Sequence, residues 1–143
     1  MADYEKFRLL AYKHWDLYLN SNQCYLGRSY AWLKRPGEMQ LLSALTIEER
    51  DELFETVLPD FESALSQLWA PDHMNYSWLG NHFKTHHGHG HLHLIPRYAM
   101  ARDFRGYTFK DPAWGKNYIS GVMPVLPEIV LFAIRDVLRA QLQ

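Results

Sequence analysis

One stretch, His86 to Tyr98 (HHGHGHLHLIPRY), constrains this chain more than any other. His89, His91 and His93 stand at every second position, separated by Gly90 and Leu92, and Leu94 and Ile95 continue the apolar run. Side chains alternate across a strand, so the pattern predicts a β-strand with one buried face and three imidazoles on the other. Successive rings would then lie about 6.5 Å apart, two residues at ~3.3 Å rise. Pro96 has no N–H, which predicts that the strand ends there or runs along an edge. Histidine is a poor strand former beside valine or isoleucine, and its ring nitrogens need partners when buried. Three chemistries fit such a row. It is a solvated histidine-rich face, a metal site drawing on alternate positions, or a site of covalent catalysis by an imidazole nucleophile.

The rest of the chain limits the setting. Its 143 residues suit one domain, 1–143, with a single core. A formal net charge of −1 gives no global basic field, which argues against nucleic acid as a partner and leaves any anion to local groups. Cys24 is the only cysteine, so no intramolecular disulfide is expected. The first residues lack the apolar core of a signal peptide, and no apolar run approaches the ~18 residues of a membrane span. These features predict a cytoplasmic protein with no membrane partner.

Taken in order, residues 3–13 are predicted to form a short helix with Phe7, Leu10 and Ala11 on one stripe. His14 to Leu19 alternates as a strand, with His14 a surface histidine at its start. Asn20-Ser21-Asn22 is a turn, and Gln23 to Lys34 returns as an antiparallel partner. Lys34-Arg35-Pro36-Gly37 turns the chain. Thr46-x-x-Glu49 is a capping box opening a long helix that ends near Trp69. Phe54, Leu58, Phe61, Leu65 and Leu68 form its apolar face, and Pro59 predicts a kink or a break. His73–Gly80 and Leu92–Arg97 are predicted to pair as antiparallel strands. The connection 81–88 between them is placed where substrate contacts usually arise. Tyr107–Phe109 is predicted as a short strand, and the basic residues around it, Arg102, Arg105, Lys110 and Lys116, read as a solvated loop pinned by a buried Trp114. Pro127-Glu128 opens a final helix with Val130, Ala133, Val137 and Leu138 on its packing stripe. Helices mix with antiparallel hairpins, which makes the fold class α+β.

The triad followed by Pro96-Arg97-Tyr98 resembles the signature of the histidine triad (HIT) family of nucleotide hydrolases and transferases. Upstream, Asn75-Tyr76 with Leu79-Gly80-Asn81 resembles the stretch preceding the triad in a bacterial branch of the family. Gln23, Tyr25-Leu26-Gly27-Arg28, Lys34-Arg35 and Leu45-Thr46-x-x-Glu49 resemble its glycine-led strand and helix start. The resemblance spans residues 23–98 and, more loosely, the C-terminal third. It implies an antiparallel sheet of about five strands with a long packed helix and a C-terminal helix, assembled as a homodimer. It implies attack on the α-phosphate of a nucleotide substrate such as a dinucleoside polyphosphate or a nucleoside phosphoramidate. The nucleophile would be His91, forming a nucleotidyl-histidine intermediate. His89 and His93 would orient it and donate to phosphate oxygens, and Asn81 would offer an amide N–H. No cofactor or metal is required.

Several positions depart from the family pattern. Pro36 stands where members often carry a further histidine. The usual Gln-Ser pair before the triad is replaced by a longer insertion in which Thr85, His86 and His87 are the candidates for phosphate or leaving-group contact. Gly90 stands where a bulkier residue is usual, and backbone N–H groups of the Gly88–Gly90 turn are further phosphate donors. Two other classes remain open. One is a metal-binding protein using His89, His91 and His93 with His82, His86 or His87, although no nearby carboxylate would orient such ligands. The other is a catalytically silent nucleotide-binding domain.

Overall fold

β5 (His91–Arg97) lies inside a five-stranded antiparallel sheet of order β1-β2-β3-β5-β4, so the chain is built around the triad strand. The computed structural model describes residues 3–37, 41–86 and 88–142; the side chains of Asp3, Lys84, Thr85 and His86 lie outside that description. β2 (Trp15–Leu19) and β3 (Ser29–Leu33) form the expected hairpin, with Trp15 opposite Leu33 and Leu19 opposite Ser29. β4 (His73–Trp78) pairs with β5 from His73–Arg97 to Trp78–Leu92. β3 closes the other side of β5, from Ser29–Leu94 to Trp32–His91. Both predicted hairpins are therefore present, and the sheet with its packed helices is α+β.

Pro96 departs from the sequence expectation, because it sits within an internal strand. Pairing with β3 stops at Leu94, so Pro96 falls where only β4 flanks the strand, opposite Met74. The missing N–H is tolerated where one ladder has already ended.

The N-terminal segment is not a single helix. A 3₁₀ turn (Asp3–Phe7) leads into β1 (Arg8–Ala11), which pairs with β2. A short isolated helix is marginal in water, and pairing with β2 buries Leu9, while of the predicted stripe Phe7 is buried and Ala11 is exposed. The strand predicted from Gln23 also begins later. Residues 20–28 form a loop organised by the buried Gln23 amide. Its Nε2 donates to Asn20 O (2.7 Å) and Arg28 O (2.8 Å), and its Oε1 accepts from Gly27 N (2.7 Å). Gly27 adopts φ +92°, and a Cβ there would lie 2.6 Å from Leu65.

Thr46 and Glu49 form the predicted capping box at the start of α1 (Ile47–Glu52). Pro59 falls in the first turn of a helix, where its missing N–H is tolerated, and the helical run is interrupted just before it. Leu53–Val57 widens into π turns, in which Leu58 N–H donates to Leu53 O, and α2 (Leu58–Leu68) continues. The wider turns shift the phase of the apolar face. Leu53 and Val57 point inward, and Phe54, predicted as core, is exposed.

α2 and α3 (Glu128–Leu142) cover one face of the sheet, where Trp15, Leu17, Leu19, Ala31, Leu33, Leu92 and Leu94 meet Phe61, Leu65, Ile134 and Leu138. In α3 the fully buried positions are Ile134 and Leu138, beside Val130. A small hairpin, β6 (Arg102–Phe104) with β7 (Tyr107–Phe109), follows the sheet, and Trp114 beyond it, expected to be buried, is exposed and stacked on His73, the segment being held instead through the carbonyls of Ala113 and Lys116. Among the described residues no helix is long and apolar enough to cross a membrane.

Candidate functional site

The sheet face opposite the helices carries the polar and aromatic half of the alternation. By strand parity it presents His91, His93, Ile95 and Arg97 from β5, and Tyr30 and Trp32 from β3. It also presents Asn75 and Ser77 from β4, and Asp16 and Tyr18 from β2. The predicted row of imidazoles is thus built, though only His91 and His93 lie within β5. His89 precedes the strand, and Leu33 N–H donating to Gly90 O (2.8 Å) carries the pairing up to it.

Two of the imidazoles have an orientation fixed by backbone carbonyls. His89 Nδ1 lies 2.7 Å from Leu33 O, and His91 Nδ1 lies 3.3 Å from His89 O. A carbonyl only accepts, so each contact requires the proton on Nδ1 and puts the lone pair of the neutral ring on Nε2. His91 is 3% exposed. Its ring is enclosed by Trp32 (stacked, 5.6 Å), Phe83 (5.2 Å), Tyr30 (6.2 Å) and His93 (5.0 Å). Trp32 also stacks on His89 at 4.9 Å. One indole plane therefore holds two of the three histidines in line.

Trp32 and Tyr30 were not singled out from sequence. Their signal was the alternation of β3, but it becomes a contact only once that strand is registered against β5. Phe83 escaped notice as an apolar residue in a polar connection. That connection is a 3₁₀ helix (Gly80–His86), and it places Phe83 in the core against Trp78.

Asn81 lies exposed in the first turn of this helix, and His82 beside it is also exposed. Thr85 and His86 occupy its last turn, with side chains outside the described residues, and His87 lies outside them entirely. The Gly88 N–H, a proposed phosphate donor, is engaged with Phe83 O at 2.9 Å. Gly90 has a packing task. A Cβ there would lie 2.5 Å from the Trp78 ring, so the indole occupies the space that a bulkier residue would need. His14 is half-buried just before β2, and its N–H donates to Glu52. Among the described residues no group of three or more His, Cys, Asp or Glu side chains is arranged to hold a metal ion.

Pro96-Arg97-Tyr98 anchors the end of the site. Arg97 binds both oxygens of Asp111 (2.7 and 3.0 Å), Asn75 Oδ1 (2.6 Å) and the carbonyls of Lys116 and Ala113. Tyr98 Oη donates to Leu26 O at 2.7 Å. Burial works against ionisation of Asp111, but Arg97 and the amides of Ala113 and Tyr98 outweigh it and hold the carboxyl below its ordinary pKa.

No protein-family profile and no curated protein matches the sequence. Solved structures do match. A histidine triad protein of Bradyrhizobium japonicum aligns over 95% of this chain and 90% of its own, with TM-score 0.68 and 16% identity. A histidine triad protein of Marinobacter aquaeolei aligns over 94% and 87%, with TM-score 0.66 and 22% identity. A Bartonella henselae Hit-like protein involved in cell-cycle regulation aligns over 94% and 85%, with TM-score 0.65 and 13% identity.

Proposed function

The chain has the fold of histidine triad proteins, and from that premise we propose that it is a nucleotide hydrolase or nucleotidyl transferase acting at the α-phosphate. The observation that carries this reading is the His91 Nδ1 contact to His89 O, which leaves the lone pair of the neutral ring on Nε2 for attack. In the first step Nε2 bonds to phosphorus, and the bond from phosphorus to the leaving oxygen or nitrogen breaks. The leaving group takes a proton from a nearby donor. In the second step water attacks phosphorus, the P–N bond breaks, and the nucleoside monophosphate departs as water gives up its proton. The intermediate keeps its Nδ1 proton and is an imidazolium, so the Trp32 face stacked on it supplies cation–π stabilisation.

His89 and His93 take the role of orienting groups, and Asn81 that of an amide donor to phosphate or leaving group. Thr85, His86 and His87 remain the candidates for the leaving-group proton. The substrates proposed are dinucleoside polyphosphates and nucleoside phosphoramidates. No metal enters either step. A cytosolic location suits a single cysteine and a nucleotide substrate.

A second copy of this chain is the proposed partner. β4 is an edge of the sheet, and beside it Phe54 and Tyr76 are exposed at an apolar groove of about 490 Å³ lined also by Leu42, Leu58 and Trp78. Sedimentation analysis tests the dimer, and a monomer at micromolar concentration overturns it.

The function itself is tested by offering a panel of these compounds, quenching without acid, and mapping the adduct by peptide mass spectrometry. The expected result is a nucleotidyl group on His91, stable to base and labile to acid. An adduct elsewhere, or turnover abolished by EDTA and restored by zinc, rejects the mechanism.

A further inference from the structure

The triad face carries two buried arginines whose surroundings differ. Arg97 is matched to a carboxylate, an amide oxygen and two carbonyls, as described above. Arg28 is 5% exposed, and its Nε and Nη1 are buried with no hydrogen-bond partner among the described residues. The Tyr118 ring, 5.4 Å from its Cζ, attracts the charge but accepts none of those N–H groups. Burial lowers the Arg28 pKa, and the groups that counter it are Tyr118, Cys24 and Tyr25, none of them a carboxylate. A buried guanidinium cannot shed its proton, so an unmatched one is a standing cost to the fold. Such a cost is retained where the group serves a ligand.

Its position indicates which ligand. Arg28 immediately precedes β3, and Gln23 Nε2 and Asn20 N both donate to its carbonyl, so the backbone continues the strand. By parity its side chain shares the face of Tyr30 and Trp32. Tyr30 touches the rings of His91 and His93, at 6.2 and 6.4 Å. Arg28 is two residues further along, about 6.6 Å at strand rise.

We propose that Arg28 is an anion-binding residue of the triad face and that it holds a phosphate of the nucleotide substrate. This rests on the function proposed above and adds to it a cation with no carboxylate partner beside the histidines. The guanidinium suits phosphate because its fork of donors matches phosphate oxygens and its charge does not depend on pH.

The test uses AMP, adenosine and inorganic phosphate as separate probes in calorimetric titrations of wild-type protein, Arg28→Met, Arg28→Gln and Arg28→Lys. AMP affinity should fall on the order of ten- to a hundredfold in Arg28→Met and Arg28→Gln, while adenosine affinity is unchanged. Arg28→Lys should recover part of the loss. Inorganic phosphate should raise the melting temperature of the wild type and not that of Arg28→Met. Without ligand, Arg28→Met should melt no lower than the wild type, because the removed Nε and Nη1 had no hydrogen-bond partner among the described residues. Equal weakening of AMP and adenosine, or AMP affinity unaltered in Arg28→Met, overturns the proposal. Arg28-dependent AMP binding by a protein that turns over no nucleotide supports this site and rejects the hydrolase reading. Turnover by Arg28→Met with unchanged kcat and KM does the reverse.

Discussion

His91 meets a backbone carbonyl at Nδ1, and in the proposed mechanism that contact decides which nitrogen attacks. It also sets what its removal does. His91→Ala eliminates the covalent route, so turnover should fall at least about a thousandfold, which single-turnover kinetics on a phosphoramidate would measure. Near-normal turnover would reassign the nucleophile. Gly90, one residue away, is constrained by packing. A Cβ there would enter the Trp78 indole at 2.5 and 2.8 Å. Gly90→Val should therefore cost about 1–3 kcal/mol by overpacking, and Trp78→Ala roughly 3–5 kcal/mol by leaving a cavity. Because each substitution supplies what the other lacks, the double variant should lose at least about 1 kcal/mol less than their sum. Urea unfolding of all four proteins measures this, and simple additivity would show that the two residues do not share one space.

At the scale of elements, the capping box of α1 also holds the turn after β3. Glu49 accepts from Thr46 N at 2.8 Å and from Arg35 Nε and Nη2 at 2.8 and 2.9 Å. The Arg35 hydrogen bonds lead in lowering its carboxyl pKa to about 2, against the opposing effect of burial. A depressed carboxyl contributes its full stability above the unfolded value and loses it as pH falls through the folded one. Glu49→Gln should cost about 2 kcal/mol at neutral pH, a cap's worth plus a pair that solvent screens on its Arg35 side. Its deficit against the wild type should shrink between about pH 5 and pH 2, followed by urea unfolding at intervals. A pH-independent deficit would assign the whole effect to packing. This box was legible because Thr-x-x-Glu is a local signal. The alternation of β5 and the turn at Asn20 were legible for the same reason. Phe54 was placed on the wrong face because the π turns at Leu53–Val57, upstream of Pro59, change the period on which the reading depended. Arg8–Ala11 became a strand because β2 offered it a partner, which no local propensity encodes. The enclosure of His91 by Trp32 and Tyr30 depends on the register of two strands distant in sequence, so the triad was legible and its neighbours were not.

Across the whole molecule, one buried ion pair ties the triad strand to the irregular segment after β7. Arg97 and Asp111 are 5% and 1% exposed at their side chains and meet at 2.7 Å. Through Ala113 O and Lys116 O the same guanidinium holds residues 113–116, and Tyr118 beyond them lies over Arg28. Removing one member of such a pair strands the other, a cost of about 3–5 kcal/mol, whereas removing both in favour of apolar groups is often close to neutral. Asp111→Asn should therefore lower the melting temperature by roughly 10 °C, taking about 2–4 °C per kcal/mol for a chain of this size. Arg97→Met combined with Asp111→Leu should recover part of that loss. The recovery is partial because Arg97 also satisfies Asn75 and two carbonyls, which the double variant leaves without a donor. The wild type should in addition lose stability as pH falls through the lowered Asp111 pKa, since its contribution is complete only above the ordinary carboxyl value. Asp111→Asn should lack that part of the acid response. Differential scanning calorimetry of the three proteins across the acid range tests both statements. If the double variant melts no higher than Asp111→Asn, the pair is not a coupled latch and the segment is held by its carbonyl contacts.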